Sequence, residues 1–254
     1  MQVVAHRGAT EHAAENTLEA FRAARELGAD AIEMDVRLSA DGVAVVYHYA
    51  YLEGGTDGRG PVWQHSLREL RELRVGGLES ARIPTLSEVL EEFSPAPVLS
   101  EHLLRLEIEL KGPEPEAVDV VSGLLDGVRA AWRRIEVTSY EPALLLALAR
   151  RCRGLNTALL FPRSESWMGL DVIAHHALHR ARQAGASAVH LHPNQLAEEV
   201  VGYIRAGGID VHAWDVNNIA ALELTAVLGV SVVCTDRLQQ ALRWRDALGT
   251  TPAR

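Results

Sequence analysis

A parallel (β/α)8 TIM barrel is the fold that this sequence predicts, and three observations point to it. Short β-rich runs alternate with longer amphipathic segments. The chain has 254 residues, the size such barrels take. Charged and imidazole side chains recur at the C-terminal ends of the runs, which is where a barrel of this kind gathers its chemistry. A doubly wound open sheet is the competing architecture.

Read in order, the first run is 3–6, which stops on His6, Arg7 and Gly8, followed by a helical pattern over 16–27. The second, 31–36, carries Glu33 and Asp35 at its end. Runs 106–111, 135–138, 157–161, 188–192, 210–214 and 231–235 complete the eight, and helical patterns over 115–131, 142–152, 170–183, 195–206 and 219–228 separate them. One segment breaks the alternation. "SADGVAVVYH" has Asp41-Gly42 between apolar runs, a hairpin signal. A two-residue turn centred there sets Asp35 opposite His48 and Glu33 opposite Ala50, so that Glu33, Asp35 and His48 share a face; a one-residue slip would send His48 to the other side. The Gly-rich, charged stretch after Tyr49, to about residue 82, has only a weak helix near 67–73 and reads as an excursion over the barrel mouth. "EEFSPAPVLSE" is a connection rather than a domain linker. The expectation is one domain over 1–254, with an inserted hairpin and loop at about 40–82.

Composition narrows the function. A hydrophobic share of 48% and a charged share of 23% suit a globular protein. The formal net charge of -9 argues against a nucleic-acid binder, because phosphate-backbone affinity is built from Lys and Arg. No apolar run reaches the roughly 18 residues of a membrane span, and the N-terminus lacks the pattern of a signal peptide. A cytoplasmic protein without stable membrane insertion is expected, as a monomer or homodimer. Cys152 and Cys234 belong to no CxxC and read as reduced packing residues.

The chemistry-bearing residues cluster at the strand ends. Glu33, Asp35 and Glu109 form a hard oxygen set suited to Mg²⁺ or Ca²⁺, since crowded carboxylates without a cation drive one another's pKa upward. The plainer alternative pairs Glu33 and Asp35 with Arg7 and Arg37. In "LEIELK", Glu107, Glu109 and Lys111 face one way and Leu106, Ile108 and Leu110 the other. His6 and His48 are the natural acid and base near neutral pH, with Arg7 and Lys111 available to neutralise a phosphate. His175 and His179, one helical turn apart, read as a solvated face; His190 and His192 read as core or rim residues. No GxSxG, Walker loop or GxGxxG occurs.

The order and spacing of "AHRG", "ENTLEAF", "GADAIEMDVRLSADGVAVVYH", "IPTLSEVL", "EIELK", "HAWDVNN" and "GVSVVCTDR" resemble the glycerophosphodiester phosphodiesterase family over most of the chain. The resemblance implies a TIM barrel with a small insertion and metal-dependent hydrolysis of glycerophosphodiesters to glycerol 3-phosphate and an alcohol. It implies His6 and His48 as the acid/base pair, Glu33, Asp35 and Glu109 as ligands of a divalent cation, and Arg7 with the catalytic Lys111 on the phosphate. It also implies a substrate-pocket role for Trp214 and a family match for Asn16. The chain departs from the family at Tyr49, where an aspartate is usual, at Gly54, where an arginine is usual, and at Asp215, where a threonine is usual. Tyr49 and Gly54 sustain the alternative of a catalytically silent phosphodiester-binding homologue; a phospholipase C/D-like enzyme acting on a lipid phosphodiester is a further alternative, against which the lack of a signal-peptide pattern, a basic amphipathic helix and an exposed aromatic run counts.

Overall fold

All eight predicted runs form strands, and the strands close on themselves. The computed structural model describes residues 1–94 and 104–249. Its strands are β1 (Gln2–Ala5), β2 (Ala31–Leu38), β3 (Ala44–Val46), β4 (Arg105–Leu110), β5 (Ile135–Ser139), β6 (Asn156–Leu160), β7 (Ala188–Leu191), β8 (Asp210–Ala213) and β9 (Val232–Thr235). Leaving out β3, each strand pairs in parallel with the next, and β9 returns to β1 with Val4 opposite Cys234. Closure leaves the barrel sheet no free edge and rules out the open doubly wound sheet. Most of "EEFSPAPVLSE" lies outside the described residues.

The helices are α1 (Leu18–Glu26), α2 (Leu67–Glu72), α3 (Leu86–Phe93), α4 (Glu116–Gly127), α5 (Pro142–Arg151), α6 (Leu170–Ala184), α7 (Glu198–Ala206), α8 (Ile219–Val227) and α9 (Leu238–Gly249). Where they differ from the sequence reading, a local cause is visible. Asn16 has φ +57, a left-handed conformation that cannot begin a helix, so α1 starts after Thr17, whose hydroxyl accepts the N–H of Ala20. The pattern over 115–131 breaks after Gly127, and the chain continues as a 3-10 segment from Arg129 to Arg134. Gln195 is not in α7. Its side chain is buried, accepting the N–H of His192 and donating to the carbonyl of Pro162.

The alternation on β4 decides where the core lies. Leu106, Ile108 and Leu110 are at most 1% exposed and join the large apolar layer between strands and helices, with Phe21, Leu125, Leu148 and Ile204. Burying a side chain of this kind contributes about 1.5–3 kcal/mol. The inward residues are of the opposite kind. Barrel interiors are ordinarily filled by branched aliphatics, yet the apolar cluster among the inward residues is Val4, Ala31, Val232 and Cys234, with Trp214 against it.

The hairpin corrects one expectation. Val36 pairs with Val46, Arg37 with Val45 and Leu38 with Ala44, so the register is one residue away from the predicted one and Tyr47, not His48, donates its N–H to the Asp35 carbonyl. The turn has three residues, Ala40 to Gly42, closed by the Ser39–Val43 pair, with Gly42 at φ +74 supplying the left-handed position that such loops need. The excursion is also better packed than its composition suggested. Val45, Tyr47, Leu52, Val62, Leu70, Val75, Ala81 and Ile83 bury one another in a second core, and α2 has a complete capping box between Ser66 and Glu69.

Gly8 ends the turn after β1 at φ +87, and a Cβ placed on it would lie 2.7 Å from the backbone carbon of Ala20 in α1. Gly8→Ala is therefore expected to lose about 1–3 kcal/mol from backbone strain alone, with the clash adding to it. Urea denaturation checks this: an unchanged midpoint contradicts the tight approach of α1 to the β1 turn.

Candidate active site

The C-terminal ends of β1, β2 and β4 bring nearly all the predicted residues into one cavity of about 220 Å³, lined by His6, Arg7, Glu33, His48, Glu109 and Lys111 on one side and by Tyr140, Leu160 and Trp214 on the other. Glu33 and Asp35 sit two apart on β2 and Glu109 lies beside Asp35 on β4, so the pleat aims all three inward. One carboxylate oxygen from each falls within 4.8 Å of the others.

Asp35 is the anchored member. Its Oδ2 accepts from Asn16 Nδ2 at 2.7 Å and lies 3.2 Å from Arg7 Nε, its Oδ1 lies 3.0 Å from Lys111 Nζ, and its own N–H donates to Asn16 Oδ1 at 3.1 Å. Burial raises its pKa, but Lys111 and Arg7 outweigh it and hold the carboxyl well below the usual range. Glu33 and Glu109 go the other way. Burial first, then the neighbouring carboxylates, push Glu33 well above its ordinary value, and burial lifts Glu109 to about 7 although Lys111 donates to it at 2.8 Å. Glu33 accepts the Arg7 N–H through Oε2, whereas its Oε1 is buried with no hydrogen-bond partner. The plainer pairing with Arg7 and Arg37 thus holds in part for Arg7; Arg37 instead donates to the carbonyl of His48.

Glu33, Asp35 and Glu109 gather where Arg7 and Lys111 are the neighbouring permanent cations. The oxygen-only donor set and the unsatisfied Glu33 Oε1 fit a hard divalent cation.

The two imidazoles flank this set in different settings. His6 Nδ1 lies 2.6 Å from Asp236 Oδ1, beyond β9, while its Nε2 faces Glu33 at 3.9 Å. Asn217 holds Asp236 from both sides, donating from Nδ2 to its Oδ2 and accepting its N–H. Burial raises the pKa of Asp236, but the bond and charge of His6, with the Asn217 amide and Arg7, together outweigh it and bring the carboxyl below its ordinary value. His48 lines the cavity even though the hairpin register is shifted; it lies just past the last residue of β3, outside the paired strand. Burial pulls its pKa down to about 3, against the pull of Asp35, and its Nδ1 has no hydrogen-bond partner.

The two departures near His48 compensate each other. The Tyr49 ring packs edge-on against His48 with centroids 4.7 Å apart. A Cβ on residue 54 would meet Tyr49 Cγ at 2.4 Å, so the glycine is what makes room for the tyrosine. On the far wall, Trp214 lies 5.3 Å from the His192 ring and 6.4 Å from that of Tyr140, under the Arg163 guanidinium at 5.6 Å. Arg163 also pairs with Asp215, the third departure, which adopts φ 58. Of these, the orienting role of Asp236 and the wall residues Tyr140 and Arg163 escaped the sequence reading. Only the strand-end position of Asp236 signalled it, while Tyr140 and Arg163 carry no motif. His175 and His179 remain an exposed pair on α6, and His192 accepts the N–H of Asn194 at the rim. Cys152 and Cys234 are free and buried.

Known proteins resemble this chain in sequence and fold. A model of the glycerophosphoryl diester phosphodiesterase family matches residues 6–240. A glycerophosphodiester phosphodiesterase of Caldanaerobacter subterraneus subsp. tengcongensis is 28% identical over 243 residues, covering 92% of this chain and 93% of that one. The structure of an Oleispira antarctica phosphodiesterase in complex with the product sn-glycerol-3-phosphate superimposes with a TM-score of 0.81 at 27% identity, covering 97% of each chain. That of a glycerophosphodiester phosphodiesterase from Agrobacterium tumefaciens str. C58 gives 0.77 at 26% identity, covering 96% of this chain and 99% of the other. A barrel of this topology, with this carboxylate set at its mouth and a family match over nearly its whole length, belongs to the glycerophosphoryl diester phosphodiesterase family.

Proposed function

We propose that residues 1–254 act as one metal-dependent phosphodiesterase domain that hydrolyses small glycerophosphodiesters to glycerol 3-phosphate and an alcohol. The observation that carries this reading is the convergence of Glu33, Asp35 and Glu109 between His6 and His48 at one barrel mouth. Glu33, Asp35 and Glu109 would hold Mg²⁺ or Ca²⁺, which when bound polarises a phosphoryl oxygen and lowers the pKa of a bound hydroxyl or water. Arg7 and Lys111 neutralise the phosphate. Trp214 and Tyr140 form the wall against which the rest of the substrate packs.

His6 is the general base. Its Nδ1–H given to Asp236 leaves the Nε2 lone pair facing the cavity, and the carboxylate stabilises the imidazolium once a proton is taken from water or from a neighbouring substrate hydroxyl. The new O–P bond forms as the P–O bond to the alcohol breaks, and His48 protonates the departing oxygen. Neutral in the free protein, His48 takes up a proton from solvent as the anionic phosphodiester binds beside it, and that is the proton it gives to the departing oxygen. Tyr49 favours turnover over the silent reading, because with Gly54 it keeps His48 propped in the cavity. Among the described residues no helix is long and apolar enough to cross a membrane.

Release of glycerol 3-phosphate from glycerophosphocholine, followed by a coupled assay, is expected to stop on addition of EDTA and return with Mg²⁺ or Ca²⁺. Binding without turnover would support the silent homologue. His6→Ala and His48→Ala should each lower kcat on the order of 10² to 10⁴ on that substrate. With a p-nitrophenolate leaving group, which needs no protonation, only His48→Ala should recover; recovery of His6→Ala instead reverses the two roles.

Cation binding should also depend on pH with a defined sign. A carboxyl lifted from 4.5 to about 7 in the folded protein binds a proton that the unfolded chain has already lost. Glu109 therefore removes stability from the metal-free protein as pH rises between those values, and a cation that takes the proton's place restores it. The rise in Tm on adding Mg²⁺ or Ca²⁺ should be larger at pH 8 than at pH 5.5. Equal increments at both would remove Glu109 from the ligand set.

A further inference from the structure

At the opposite end of the barrel interior a second set of ionisable side chains converges. Glu136 of β5, His190 of β7 and His212 of β8 all point inward, and each is less than a tenth exposed. His190 Nε2 lies 3.1 Å from Glu136 Oε1, His212 Nδ1 lies 3.1 Å from His190 Nε2, and His212 Nδ1 lies 3.4 Å from Glu136 Oε1.

Protons do not satisfy this triangle. With a hydrogen on both facing nitrogens, two donors confront each other across 3.1 Å; with a hydrogen on one, the other nitrogen turns a lone pair toward the carboxylate. The outer nitrogens favour a third arrangement. His190 Nδ1, which has no hydrogen-bond partner among the described residues, faces Glu107 Oε1 at 3.6 Å, and His212 Nε2 faces Asp210 Oδ2 at 3.8 Å, so a carboxylate stands on the side of each ring away from the triangle, just beyond hydrogen-bond length. With the ring hydrogens on that side, three lone pairs point at one another, an arrangement that a cation relieves. Carboxylate–histidine pairing of this kind is what fixes the tautomer of metal-binding imidazoles. Spacings of 3.1–3.4 Å also match the edges of a tetrahedron or octahedron with metal–ligand bonds of about 2.0–2.2 Å.

A carboxylate and two imidazoles are ligands of the kind zinc takes. A cavity of about 550 Å³ at this end reaches Glu136 and His212 past Asn156, Ser187 and Asp210, giving an entry path and room for water at an open coordination position.

We propose that Glu136, His190 and His212 form a second, nitrogen-rich metal site at the N-terminal end of the barrel, selective for zinc over magnesium and calcium, that ties β5, β7 and β8 together. Two imidazoles make it softer than the all-oxygen set at the other mouth, so the two ends select different ions. Its place away from the strand C-termini makes its role structural.

The test uses the chelator-treated full chain in excess Mg²⁺. One equivalent of zinc is expected to bind and to survive the excess, raising Tm by roughly 5–10 °C at a hundredfold excess over Kd. Co²⁺ should give the intense visible bands of a four- or five-coordinate ion. These signals should disappear in His212→Gln and persist in Asp35→Asn; their persistence in a folded His212→Gln, or their absence from the wild type, overturns the site. Anomalous diffraction at the zinc edge from wild-type crystals grown with ZnCl₂ needs no variant. A peak within the triangle supports the proposal, and peaks only at Glu33, Asp35 and Glu109, only at His175 and His179, or nowhere refute it.

Discussion

Mutual repulsion among inward carboxylates is the constraint on which this barrel turns. A parallel barrel gives every second residue of a stave to the interior, and on β4 this chain uses those positions for Glu107 and Glu109 rather than for Leu or Val. Such a choice costs stability unless opposite charge is supplied. Arg7, Lys111 and Asn16 converge on Asp35 and keep that acid ionised in a dry place, whereas Glu109 only shares Lys111 and Glu33 is left with one buried oxygen unpaired among the described residues. In the proposed mechanism that strain is what a compact double charge would relieve.

The apolar framework makes that tolerable. The helix-facing residues of the staves form one large apolar layer, whose burial offsets the cost of a polar interior. The small second core beneath the excursion does the same for the rim, fixing the segment that carries His48 and Tyr49 without drawing on the barrel. Polar groups can therefore occupy the axis from one end to the other, with Arg105 and Glu136 toward one mouth and Glu33, Glu109 and Lys111 toward the other.

Much of this was legible along the chain because it is local. Alternation in "LEIELK" assigns faces correctly, and each run of β-branched and apolar residues ending on a charged or imidazole group became a stave ending at a mouth. The failures share a different cause. Asp41-Gly42 marks a hairpin, but whether its loop holds two or three residues depends on the left-handed position taken by Gly42, which fixes the register and leaves no trace in the pattern. Tyr49 and Gly54 each look like a loss when read alone, and only their contact shows that one replaces the volume of the other. Glu136, His190 and His212 lie on three separate staves, where no spacing rule could join them.

The pairing of His6 with Asp236 spans 230 residues of sequence and joins the loops that follow β1 and β9. The stave that begins the barrel is thereby completed chemically by the stave that seals it. Until β9 has docked against β1, His6 has no carboxylate beside it, so under the proposed mechanism a growing or half-folded chain would carry its clustered acids but not a working base. Closure of the cylinder would in that mechanism be the switch that arms the site.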